Sequence, residues 1–148
     1  VSIGAPAPPF AGRSPISGLW NLLLVFVGGG LGALARFGTG SLVQARVSWA
    51  FPFGTLVVNA IGCLAIGVVG VLILNSSAPA PTREAWRLAV VVGFLGGFTT
   101  FSAFSWETME LVDARRYAMA AIYVLGTNTL CLAFAAVGYR LGQRLLPL

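Results

Sequence analysis

The chain has 148 residues, of which 57% are hydrophobic and 9% charged, with a mean hydropathy of +0.89. That much apolar side chain cannot be hidden inside one small water-soluble core, so the composition excludes an ordinary soluble domain and requires lipid. Nine basic residues against four acids give a net charge of +5 and histidine is absent, which removes the usual ligands of zinc and haem, and the arginines form no aromatic-interleaved stripe for nucleic acid.

Residues 1–17 are rich in Pro, Gly and Ala and carry only Arg13, so they read as a flexible N-terminal extension ahead of a membrane domain over residues 18–148. Four segments then meet the length of about 20 apolar residues needed to cross a bilayer: residues 19–36, 53–74, 88–112 and 118–139. The first is of full spanning length, so a cleaved signal peptide is not expected. Trp20, Trp49, Trp86 and Tyr117 stand near the segment starts and Tyr139 closes the fourth, where amphipathic rings favour the headgroup layer.

The first span carries Gly28-x-x-x-Gly32, and the third Gly93-x-x-x-Gly97, spacings that let helix backbones approach closely. In the second, Thr55 and Asn59 are four apart and share a helical face. Asn59 at membrane depth is open to two readings, a bridge between helices or a donor to an anion. Cys63 and Cys131 fall inside apolar spans and read as packing residues.

The third span is the unusual one. Between Gly93 and Ser105 it interleaves glycines, hydroxyl residues and phenylalanines, which predicts a local helix break around residues 96–99, where freed backbone carbonyls could hold a small hard cation. A half-helix starting near Thr100 could face an anion with its amides. The alternative is that the glycines only admit a neighbouring helix. Phe98, Phe101 and Phe104 recur at intervals of three, with Thr99, Ser102 and Ser105 one position later, predicting adjacent aromatic and hydroxyl stripes. Aromatic ring edges are partly positive and can meet an anion. In the fourth span Tyr123 and Thr127 share a face with Asn128 nearby, either as a polar track or as interhelical bonds. Glu107 and Glu110 lie toward the end of the third span, suited to a vestibule or solvated caps.

Counted by face, the arginines divide almost evenly: Arg13, Arg83, Arg87, Arg140 and Arg144 on the side of the termini, Arg46, Arg115, Arg116 and Arg36 on the other. So weak an orientation signal admits insertion both ways and pairing of two copies about an axis in the membrane plane; the alternative is a single orientation imposed by the N-terminal segment.

The motifs GGGLGALARF, PFGTLVVNAIG and GFLGGFTTFSAFSWE resemble those of the CrcB/Fluc family of fluoride channels, with the likeness running from about Gly28 to Leu146. The resemblance implies an all-α integral membrane protein with four transmembrane helices per subunit, the third broken near its middle, assembled as an antiparallel, dual-topology homodimer in the cell (inner or plasma) membrane. It implies passive fluoride export through narrow pores, with a structural sodium ion held between subunits by the backbone carbonyls of Gly96 and Thr99. Phe101 and Phe104 would present ring edges to fluoride, Asn59, Ser102, Tyr123 and Thr127 would line the pore with Thr100 near it, and Arg36 and Glu107 would mark a vestibule. Ala103 stands where the family often has Thr. Partners would be fluoride, a second copy and lipid, with no nucleic acid and no enzymatic activity. A proton-coupled exporter needs a titratable group at mid-membrane, which the spans do not place there; a non-conducting assembly protein would leave the polar stripes without a task.

Overall fold

The computed structural model describes residues 18–47 and 51–146; the N-terminal extension, Arg13 and Trp49 lie outside the described residues. The helices run α1 Leu19–Ala45, α2 Phe53–Leu74, α3 Ala80–Trp86, a π-helical stretch Arg87–Leu95, α4 Gly96–Phe98, α5 Phe101–Asp113 and α6 Tyr117–Arg144. Four units are long and apolar enough to cross a membrane: α1, α2, α6 and the compound segment Ala80–Asp113. The chain is a multi-pass membrane protein.

The fourth helix runs five residues past Tyr139, to Arg144, and two other bounds differ more from the sequence reading. The first helix continues past Arg36 to Ala45, because Phe37, Leu42 and Val43 extend the apolar surface and the intervening Gly, Thr and Ser are tolerated in a packed membrane helix. Arg36 therefore stands half-buried within the helix and not at its end. The third span begins earlier, at Ala80, with Pro81 at its first turn, where a missing amide costs nothing. Its outer turn is closed by a bidentate pair from Arg87 Nε and a terminal guanidinium nitrogen to Glu84, 2.9 and 2.7 Å.

Alternate spans pack in parallel. Gly28 and Gly32 of α1 lie against the backbone of Ala89, Gly93, Phe94 and Phe98, and Gly97 lies against Gly29, so that a Cβ at any of Gly28, Gly32 or Gly97 would run into main-chain atoms. These are the two small-residue spacings named above, and they face each other. The second and fourth spans are joined the same way, Gly67 against Ala135 and Gly138, and Gly142 against Val68 and Val71. Gly138-x-x-x-Gly142 repeats the spacing, a pair that the sequence reading does not single out. Such close approach replaces the hydrophobic drive that lipid cannot supply.

The apolar surface turned outward is large. Phe26, Leu34 and Phe37 of α1, Leu125 and Leu132 of α6, and Trp20, Tyr117 and Tyr139 near the helix ends are all exposed. A compact core of Phe51, Phe104, Leu111, Ala120 and Tyr123 sits toward the end where α5 meets α6.

Candidate functional site

The polar centre of the molecule is built where the third span leaves helical geometry. Thr99 has φ −82° and ψ 157°, Thr100 has φ −152° and ψ 117°, and α5 begins at Phe101. Gly96 and Gly97 are themselves helical; the extended residues are the two threonines, of which Thr99 keeps its helical N–H bond to Leu95 O at 3.0 Å. Thr99 Oγ1 donates to Leu95 O at 2.9 Å, and Thr100 Oγ1 accepts from Ala103 N at 3.1 Å as a helix N-cap.

Asn59 of α2 holds this segment. Its Oδ1 accepts from Thr100 N at 2.8 Å and its Nδ2 donates to Thr100 O at 3.0 Å, both buried. The interhelical bridge is thus the observed use of this amide, and the second hydrogen on Nδ2 is left over. The bonds have a further effect. In an uninterrupted helix the amide of Thr100 would serve the carbonyl of Gly96, and that of Ala103 the carbonyl of Thr99. Both amides are spent on side chains, which frees the Gly96 and Thr99 carbonyls from their helical donors.

A cavity of about 340 Å³ opens alongside, with walls that include Asn59, Gly96, Thr99, Phe101, Phe104 and Thr127. Thr127 is 5% exposed and its Oγ1 has no hydrogen-bond partner among the described residues. A buried hydroxyl without a partner at membrane depth is costly. Asn128 also stands in this wall, with its Nδ2 donating to Val124 O of its own helix at 2.7 Å.

The phenylalanine stripe is interrupted. The extended threonines swing α5 out of register with α4, so Phe98 stacks on Phe94 (ring centroids 6.1 Å, planes 5° apart), away from the other two. Phe101 and Phe104 remain together at 5.3 Å, Phe104 meets Tyr123 at 5.1 Å, and Tyr123 meets Phe51 edge-on at 5.3 Å. Phe104 is 6% exposed, whereas Phe101 is 73% exposed. The hydroxyl stripe is similarly dispersed: Ser102 is exposed and lies 3.2 Å from Thr100 Oγ1, and Ser105 bonds back to Phe101 O.

At the other end of the ring series, Glu107 receives two hydroxyls, Thr55 Oγ1 on one oxygen and Tyr123 OH on the other, each at 2.6 Å. Tyr123 is fully buried in reaching it. Beyond lies a second cavity of about 510 Å³ with Gln44, Thr55, Glu107, Glu110 and Arg116 in its walls. Gln44 fastens that rim, accepting from Gly54 N and donating to Phe51 O, both 3.2 Å. Sequence reasoning named neither Gln44 nor the bond from Thr55 to Glu107; the shared face of Thr55 and Asn59 was the available signal. Arg36 is not in the wall of either cavity.

Residues 23–139 match the model of the CrcB-like protein family, described as Camphor Resistance (CrcB). The chain belongs to this family. Proteins each named fluoride-specific ion channel FluC are similar over most of its length. That of Coxiella burnetii strain CbuK_Q154 is 42% identical over 84% of this chain and 99% of its own. That of Solibacter usitatus is 46% identical over 82% and 98%, and one from Thermus thermophilus is 45% identical over 83% and 95%. This CrcB-family chain is accordingly a multi-pass protein of the cell membrane and of a non-enzyme class.

Proposed function

We propose that this chain forms a fluoride-selective channel that lets the anion leave the cell passively. The observation that carries the reading is the Thr127 hydroxyl, unpartnered among the described residues and buried in a cavity whose walls also hold Asn59 and two phenylalanine rings. A hydroxyl, a spare amide hydrogen and ring edges are donors of weak positive potential with no fixed cation among them. Fluoride, small and a strong hydrogen-bond acceptor, gains most from such a lining; chloride is larger and accepts more weakly. The anion would pass from the groove at Phe101 along Phe104 toward Glu107, where Tyr123 and Thr55 hold the carboxylate to one side of the larger cavity. Ser102 would serve the groove end, and Arg36 the approach to the pore.

The same reading makes the active form an antiparallel homodimer with a helix break at its centre. The nearly even arginine count and the exposure of Phe101 support it, since a ring that lines a pore needs a second wall. Sodium would sit where two copies bring the Gly96 and Thr99 carbonyls together. Carbonyl oxygens relieved of their helical donors suit a small hard cation, and the ion would tie the subunits without being transported.

Fluoride efflux from proteoliposomes tests the function, with and without a proton gradient, for the native chain and Phe101→Ile. Fast efflux that ignores the gradient and is lost on substitution is the expected result. Efflux that requires a proton gradient would replace the channel with a coupled exporter, and no efflux would defeat both.

A further inference from the structure

Cys63 and Cys131 have no part in the site described so far, yet they stand beside it. Each is half-buried, outside any disulfide, and set in the wall of the groove that holds Asn59 and Thr127. They stand on α2 and α6, the two helices that pack closely on each other. The placement follows from the parallel run of α2 and α6: Cys63 is four residues beyond Asn59 and Cys131 four beyond Thr127, so both lie about 6 Å further along the same groove. Both cysteines are also at the midpoints of their helices, the depth at which charge is most costly.

We propose that Cys63 and Cys131 form a two-thiolate site for a soft divalent cation that prefers linear two-coordination, of which the mercuric ion is the type, and that its occupation closes the groove. Thiolate sulfur selects soft metals, and two sulfurs from adjacent helices suit an ion that needs only two ligands. As each metal–sulfur bond forms, a thiol proton is released to water, two protons per ion. The resulting complex of one divalent cation with two thiolates is neutral, which matters at mid-membrane; a hard cation would have to give up water for ligands it binds poorly. The closing of the groove rests on the function proposed above, whereas the metal site does not.

The test uses the full-length chain in proteoliposomes, loaded with mercuric chloride at one ion per chain and challenged with increasing 2-mercaptoethanol. Cys63→Ser and Cys131→Ser serve as near-isosteric single-thiol variants, with elution volume on gel filtration as the check on folding. Two tethered thiols should retain the ion against a monothiol concentration on the order of 10²-fold higher than either single variant withstands. They should also take up one ion per chain, with two protons released. Equal retention by a single-thiol variant, or uptake of two ions per chain by the native protein, would show that the cysteines only pack. Fluoride efflux from the same vesicles is read in parallel. Efflux that stops with retained metal supports closure, and unchanged efflux with retained metal overturns it. Metal-free vesicles that pass no fluoride would defeat the channel reading while retention still decides the site.

Discussion

Asn59 commits both ends of its amide to one residue, and that bond pair decides what the backbone of the third span can do. Replacing it with Leu would leave Thr100 N–H and C=O unpaired at membrane depth, at about 1–3 kcal/mol for each. Asn59→Leu is therefore expected to lower the midpoint of thermal unfolding in detergent and to abolish fluoride flux, and Asn59→Asp, which keeps the acceptor but sets a carboxylate oxygen against the Thr100 carbonyl at membrane depth, should destabilise at least as much. Thr127 gives the opposite pattern. Its hydroxyl has no protein partner to lose among the described residues, so Thr127→Val should leave the melting midpoint unchanged or slightly raised while fluoride efflux falls severalfold. A substitution that separates stability from flux in this way would identify a group kept for the ion. These residue types were legible as candidates because polar atoms in apolar segments are rare and costly. Their pairing was not: nothing in the spacing of one chain reveals that Asn59 meets Thr100 across 41 positions, or that Tyr123 would be drawn to Glu107 and away from Thr127.

At the scale of the helices, the lengths of the apolar runs marked four spans, two small-residue spacings marked the contact of the first with the third, and periodicity marked the stripes. It failed where the helix itself fails. A stripe counted at intervals of three assumes an unbroken helix, and Phe98 leaves the stripe because two extended residues intervene. The glycine pair reads in the sequence as the flexible point, but Gly96 and Gly97 are helical, with Gly97 pressed on Gly29, and the threonines supply the extended backbone. The packing role of such glycines is testable by contrast. At Gly32 an added methyl would collide with the main chain at Phe94 and Phe98, while at Gly30 nothing lies within 4 Å. Gly32→Ala should cost about 1–3 kcal/mol, typical of overpacking, read as a lowered unfolding midpoint in detergent; Gly30→Ala should be neutral.

For the whole molecule the decisive property is how little of it is closed. Phe101 is nearly bare and α1 offers Phe26, Leu34 and Phe37 to its surroundings. Some of that surface is proposed for lipid, and the groove side for a second copy. If the copies are antiparallel, a reporter fused to the C-terminus should be accessible from each side of the membrane in roughly equal amounts, whereas a single orientation would put it on one side only. If sodium ties them, exchange of sodium for a large organic cation should promote dissociation to monomers in detergent, seen as a later elution volume. Composition and charge made the membrane setting legible, but the proposed assembly would be a property of two chains, and one sequence carries it only as a weak balance of arginines.

The parallel pairing of alternate spans also bears on how the protein comes into being. A ribosome delivers the helices in order, and neighbours in sequence are not the closest partners in space: α1 waits for the third span, and α2 waits for α6. Asn59 is therefore in the membrane before the backbone it will clasp has been made, and the clasp precedes the arrival of Thr127 and Tyr123. Until the third span emerges, the half-finished chain has a polar amide in lipid, and until the last helix emerges its groove has no second wall. Its open surface passes through a period of exposure during synthesis, and truncation anywhere before α6 would leave an unfinished wall rather than a smaller channel.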